Sequence, residues 1–433
     1  MAMVVKNNMS ALSALNTLNT NTNALSKSLK KVSSGMKINS AADDASGYAI
    51  SEKMRVNIRS LNQANANAQN GGSMMKVAEG AVSSTVEILK TMKEKAVNAA
   101  NDTNTDADRA TIQKELDQSI DQINDNANVT FNGQYLVDGS KSAKTQQTTT
   151  MMSNVSLKAG TAKTEKLTAL ANRNGENLNI HSTDTVTISY VKDGKTYTSF
   201  TTVGTKALND VVSSLTGGEL TVDGITSYVG RDGSDNSVYT ADKEGGVSIK
   251  AKEGGVAGQI AGFTMYITDN QGKVNKSANA VLDAFDETIR AKNAVENDRS
   301  ISLQIGTKAG QSIKAGLTDM RAQALGLQGK DGDTIKVTTQ KNANAAINAF
   351  DSAIQKALDQ QTTIGSIVSR LEYTQSNLTT ASENVTAAES TIRDADMAKE
   401  MTEYTKNNVL MQAAQSMLSQ ANQSSSNALS LLQ

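Results

Sequence analysis

The chain has 433 residues, 38% hydrophobic but only 3% aromatic, so Ala, Leu, Ile, Val and Met carry nearly all the burial. Its 43 basic and 44 acidic side chains leave a net charge of −1, without the broad positive field that non-specific binding to nucleic acid or anionic lipid needs. With no Cys, no Pro, no Trp and one His, His181, it excludes disulfides, thiolate metal sites, Cys nucleophiles and paired-His metal motifs.

Residues 1–8 hold no basic segment followed by an apolar one, so no cleaved leader is expected. No run of eighteen apolar residues occurs, so no membrane span is expected either. Lack of Pro removes slow prolyl isomerisation from refolding. That suits a protein that must unfold, travel and refold, although compositional drift accounts for it equally well.

From residue 1 to residue 26 the only charged side chain is Lys6. Leu15, Leu18, Thr22, Leu25, Leu29, Val32 and Met36 recur there at steps of 3 and 4, the seam of helices wound around one another. Residues 77–100 predict a helix with Val82, Val86, Leu89, Met92 and Ala96 on one face. Thr105 with Asp108 resembles a capping box and opens another, whose face is Ile112, Leu116, Ile120, Ile123 and Ala127.

Composition shifts at Lys141: heptads stop, and Thr, Gly and Asp rise. Alternating Val186, Ile188 and Tyr190, then Asp193-Gly194, then Tyr197 and Phe200 predict a hairpin with a two-residue turn. Further strands are expected at 247–249 and 263–267, and a helix over 278–295 returning the chain to the bundle. In this segment His181 is expected in an exposed loop. Residues 232–236 lack the spacing and final Glu of a calcium loop and predict a turn. Gly245-Gly246 and Gly254-Gly255 lack the Lys-Ser/Thr of a phosphate loop. No catalytic, cofactor or metal site is expected.

Leu303, Ile305 and Ile313 alternate with polar residues and predict paired strands. From Ile347 to Ile392 fourteen positions alternate at steps of 3 and 4, predicting one helix on the order of 70 Å long at ~1.5 Å per residue. The final 27 residues, 407–433, hold no charge at all, and Leu410, Ala414, Met417, Ala421, Ser424, Ala428 and Leu431 repeat the 3-4 spacing. Two outcomes fit the uncharged ends. They are disordered tails, or amphipathic helices too weak to fold alone that order by packing on each other and on copies.

Ile38-Asn-Ser-Ala-Ala-Asp-Asp-Ala-Ser-Gly-Tyr-Ala-Ile-Ser-Glu-Lys-Met54 closely resembles the N-terminal signature of bacterial flagellin. Ala78-Glu-Gly-Ala81 and Asn104-Thr-Asp-Ala-Asp-Arg109 are similar to it as well. Arg370-Leu-Glu-Tyr373, Thr386-Ala-Ala-Glu-Ser-Thr-Ile-Arg-Asp-Ala-Asp-Met-Ala-Lys-Glu-Met401 and Lys406-Asn-Asn-Val-Leu410 resemble its C-terminal signature. The resemblance implies a mainly α protein with a β-rich insert: long terminal coiled-coil helices, a helical bundle with a β-hairpin near 302–315, and an outer mixed α/β variable domain. It divides the chain into coiled-coil halves 1–44 and 396–433, bundle halves 45–140 and 300–395, and a variable domain 141–299, a separate lobe. Family C-termini often carry a Pro near Ser425. Its absence here predicts a last helix running close to Leu432.

The role implied is a non-enzymatic, secreted, extracellular filament subunit for motility, exported unfolded and assembled by its termini. The assembly seam is then Leu15, Leu18, Leu25, Leu29, Val32, Leu410, Ala414, Met417, Ala421 and Leu431. Implied partners are copies of itself, cap and hook-junction proteins and an export chaperone at the C-terminal region; no nucleic acid and no membrane. In family members sensed by the host Toll-like receptor, the helix at 89–98 carries Leu-x-Arg-Met/Val-Arg-Glu-Leu-Ala-Val-Gln. Leu89, Met92, Lys93, Glu94 and Val97 fit it, but Thr91 replaces the Arg and Lys95 the Leu. Weak receptor binding is therefore expected.

Overall fold

The computed structural model describes residues 8–223, 228–231, 237–239 and 246–430. The expected turn at 232–236, Gly245 and Leu431 lie outside them. Along the chain α1 spans Met9–Ser34, α2 Ala45–Ala99 and α3 Asp106–Ala127. A short hairpin, β1 (Thr130–Phe131) and β2 (Gln134–Tyr135), leads to β3 (Thr149–Asn154), β4 (Thr185–Lys192) and β5 (Lys195–Thr202). Then come α4 (Leu208–Leu215), β6 (Leu220–Asp223), β7 (Tyr228–Arg231), β8 (Ser237–Tyr239), β9 (Val247–Gly254) and β10 (Ile260–Thr268). The chain continues through α5 (Lys276–Leu282), β11 (Asp286–Ile289), β12 (Ile301–Gln304), β13 (Ser312–Ala315) and α6 (Ala322–Leu325). It closes with α7 (Gln340–Arg393) and α8 (Met397–Ser430).

Two compact units result. One comprises Met1–Ala68, Gln304–Gln311 and Tyr373–Gln433; the other comprises Gln69–Leu303 and Ser312–Glu372. The first therefore reaches past residue 44 and starts before residue 396. In it α1 opens on Asn8, whose side chain accepts from Ala11 N at 3.0 Å, and stops at Gly35, which takes φ 70°. Leu61 and Ala64 pack on Leu378, and Asn62 accepts from Ser382. Both ends are thus helical rather than tails, and α8 runs to Ser430 as the missing Pro predicts.

The helix expected over 77–100 is the last part of the 55-residue α2. Gly71 does not break it, because Leu303 fills the space its missing side chain leaves: a β-carbon there would lie 2.6 Å from Leu303 Cδ1. The capping box at Thr105 and Asp108 forms as expected. Just behind it Arg109, 7% exposed, donates to the carbonyls of Ala99 and Asn101 at 2.9 and 3.0 Å. A cation thus satisfies the open end of α2. All fourteen seam positions of α7 are buried or half-buried.

Among the described residues of 149–289, two sheets of order β10-β4-β5 and β11-β3-β9-β6 surround one apolar core, and β7 pairs with β8. The turn between β4 and β5 places Asp193 and Gly194 at φ 55° and 75°, the left-handed pair a two-residue hairpin requires. Alternation fails as a guide to β4, which lies in the middle of its sheet and buries Thr187 and Ser189 as well as its apolar residues. The helix expected over 278–295 stops at Leu282. Asp283 caps it, its backbone N–H donating to Asn279 O. Phe285 then meets Phe263 edge-to-face at 5.1 Å, and β11 pairs with β3. Core and strand partners outweigh local helical pattern here.

The insert is not separate from the helices of its unit. Asn348 of α7 donates to Phe263 O at 3.2 Å, Arg290 pairs with Asp359, and Glu287 faces Lys356 at 3.8 Å. Burial pushes the Glu287 carboxyl up and the Lys356 ammonium down. Gly262, at φ 62°, lets β10 approach α7 so closely that a methyl would overlap the Ala345 carbonyl oxygen. Gly262→Ala should therefore lower stability by about 2–4 kcal/mol, read from denaturant unfolding. An unchanged midpoint would show that β10 does not press on α7.

Candidate assembly surface on the terminal helices

Four contacts set α1 against α8. Asn8 donates to Ala421 O, Asn21 to Leu410 O and Asn407 to Ser28 Oγ, while Lys31 pairs with Glu400 at 3.1 Å. Partners fall along α8 as they rise along α1, so the helices run antiparallel. Ala11, Ala14, Leu18, Asn21, Leu25, Ser28 and Val32 of α1 are among the covered positions, with Met411, Ala414, Leu418 and Ala421 of α8. Small and polar residues dominate, so backbones meet closely but little apolar area is hidden.

Of the predicted seam, Leu18, Leu25, Val32, Ala414 and Ala421 lie in this pairing. Leu15, Leu29, Leu410 and Met417 do not: all are exposed, Leu29 by 51% and Met417 by 65%. Leu15 and Leu29 each follow a covered residue by four positions, about 40° further round at 3.6 residues per turn. The apolar stripe is wider than one partner helix covers. Met411, Leu418 and the Ala11-to-Ser28 register were missed by reading large apolar residues alone. The signal was a second 3-4 series, shifted by four residues, in Ala, Asn and Ser. Met9, Leu12, Met401 and Val409 are exposed as well.

At the inner end of the pair the chain breaks twice, after α1 and after α7, and Arg393 joins the breaks. It is 6% exposed, donates to Glu52 Oε1 at 2.6 Å and Ser51 Oγ at 3.2 Å, and lies 5.4 Å from the Tyr48 ring centroid. Its carbonyl accepts from Lys37 N, and Gly35 O accepts from Ala395 N. The Arg393 guanidinium holds the Glu52 carboxyl below its ordinary value. Sequence showed this arginine only as part of a motif, because its partners are more than 340 positions away.

The helix face at 89–97 is only partly a surface. Leu89 and Met92 are buried against the core of their unit and offer nothing to a partner, since the 82-86-89-92-96 stripe turns inward. Thr91, Glu94 and Val97 are exposed. Lys93 pairs with Asp351 and Lys95 with Glu115 at 2.9 Å. His181, its side chain 76% exposed, stands 3.9 Å from Asp184.

The family profile for the bacterial flagellin N-terminal helical region matches residues 5–142, and that for the C-terminal helical region matches residues 347–432. The flagellin of Clostridium tyrobutyricum is 37% identical over 97% of this chain and 99% of its own length. Flagellin C of Vibrio cholerae is 30% identical over 100% of both chains. Among solved structures, FliC from Burkholderia pseudomallei aligns over 69% of this chain and 99% of its own, at 14% identity and a TM-score of 0.27.

Arg393→Gln should cost about 2–3 kcal/mol in urea unfolding, and Arg393→Lys should recover only part, since a single ammonium cannot serve Glu52, Ser51 and the Tyr48 ring together. Because the Glu52 carboxyl is depressed, the contribution is present above its unfolded value and fades as pH falls through the folded one. A variant equal to the wild type at neutral pH would remove Arg393 from this role.

Proposed function

The chain belongs to the bacterial flagellin family as a structural, non-enzymatic subunit of the flagellar filament, and we propose that it polymerises through the apolar edges its terminal helix pair leaves uncovered. One observation carries this reading: Leu15, Leu410 and Met417 stand exposed on stretches without charge, 8–26 and 407–433, and Leu29 stands exposed just past the first of them, beside Lys30. Neutral surfaces let copies crowd without repulsion, and covering half-exposed side chains of this size gains roughly 1 kcal/mol each. Residues 1–44 and 396–433 are then the assembling ends.

The same features support export. Ends that stabilise only one another unfold readily, and a chain without Pro refolds without slow isomerisation. In this reading the subunit passes unfolded through the flagellar secretion channel to an extracellular filament. An export chaperone covers the C-terminal stripe beforehand, and cap and hook-junction proteins take the same helices at the filament ends. Host Toll-like receptor binding is weak, because Thr91 offers no bidentate donor and Lys95 puts a charge where an apolar contact is needed.

Deleting residues 407–433 should leave a folded monomer that forms no filaments in electron micrographs, and Leu29→Glu with Met417→Glu should do the same while keeping the helical circular dichroism signal. Filaments from either protein would sink the exposed-edge reading.

Thr91→Arg with Lys95→Leu should raise receptor affinity about tenfold to a few hundredfold, at ~1–2 kcal/mol per restored contact. Surface plasmon resonance on monomers decides it: equal affinities refute the patch. Loss of the Lys95–Glu115 pair is a small effect at so exposed a site.

A further inference from the structure

A cleft of about 590 Å³ opens within the unit formed by residues 69–303 and 312–372, between the end of the insert, the turn after β13 and α7. That volume lies within the range of roughly 300–1,000 Å³ usual for small-molecule sites. Lys356 and Gln360 line it from α7. They are four residues apart and so share one helix face, and they are 9% and 4% exposed.

Both carry donors that the fold does not use up. The Gln360 amide oxygen accepts from the Thr318 hydroxyl at 2.7 Å and from its N–H at 3.3 Å. This leaves Nε2 buried without an acceptor. Lys356 meets the Gln259 amide, oriented to accept from it, and stands 3.8 Å from Glu287. At 3.8 Å the Glu287 carboxylate is beyond hydrogen-bond reach, so Lys356 keeps N–H capacity beyond its bond to Gln259. A buried donor without a partner is costly, and a ligand oxygen would answer both groups at once.

The charges around the cleft point to the sign of that ligand. Arg290 is engaged by Asp359 and Arg321 by Asp319. Asp138 is turned onto the Ser140 N–H and hydroxyl. Lys292 and Arg299 make no ion pair among the described residues. Five cations against three carboxylates leave the lining at 5 − 3 = +2.

We propose that this cleft binds a small ligand through one oxyanion group, a carboxylate or a phosphate, held by Lys356 Nζ and Gln360 Nε2 with Lys292 and Arg299 at the rim. The test titrates the full-length monomer with inorganic phosphate and, separately, with hexanoate, each against sodium chloride at equal ionic strength. Thermal unfolding and calorimetry are followed together. The expected result is saturable, one-to-one binding of at least one oxyanion with a raised unfolding midpoint, and the two arms tell phosphate from carboxylate. Lys292→Gln with Arg299→Gln, both at exposed positions, should keep the fold and weaken binding about tenfold. Gln360→Leu should weaken it further; if that variant unfolds, the rim variant alone decides. A response no larger than that to chloride, or binding unchanged in the rim variant, overturns the proposal.

Discussion

Two helices that are uncharged over most of their length and meet along many small residues bury little, and much of the terminal part of the molecule follows from that shortage. Ala11, Ala14, Ser28 and Ala414 let α1 and α8 come close, but closeness with few large apolar side chains between them yields a thin interface. The larger residues, Leu15, Leu29 and Met417, sit just beside it in solvent. A pair built this way is poorly sealed alone and well suited to being one element of a larger bundle. Its neutrality matters as much as its stripe, because like charges repeated at every copy would oppose the packing that the apolar edges favour.

Arg393 shows how a helix pair of this kind is anchored without a large core. Chain breaks at Gly35 and at 394–396 expose carbonyls and N–H groups. These pair across the breaks, Lys37 N with Arg393 O and Ala395 N with Gly35 O. The guanidinium then fixes the geometry by holding Ser51, Glu52 and the Tyr48 ring at once. Planar, always-charged arginine can make these contacts together where a lysine cannot.

In the other unit burial is dense, and the notable features are polar. β10 reaches α7 only because Gly262 has no side chain, and Glu287 and Lys356 are buried opposite one another. Desolvation of both charges offsets much of their attraction, so the pair specifies register more than it adds stability. The packing of β10 and β11 on α7 makes the insert part of the same compact unit as the helices, despite its abrupt change of composition.

Helices were legible wherever one face was apolar over many turns: the α3 capping box and the fourteen-position seam of α7 are local patterns that nothing downstream contradicts. The family signatures were legible for the same reason, being written in contiguous residues. Which of two overlapping stripes α1 turns toward α8 was not, because a helix records its periodicity but not its partner. The clearest case is a pair of similar segments. Ala278-Asn-Ala-Val-Leu-Asp-Ala-Phe-Asp-Glu-Thr-Ile289 and Ala343-Asn-Ala-Ala-Ile-Asn-Ala-Phe-Asp-Ser-Ala-Ile354 share one amphipathic pattern, yet the second is helical throughout and the first turns to strand after Leu282. Phe350 is buried as part of a long helix; Phe285 packs on Phe263 in the insert, where β3 offers β11 a strand partner. Sequence determined that each phenylalanine had to be covered. Only the tertiary structure decided by what, because the covering residues are distant in the chain and local propensity yields to them.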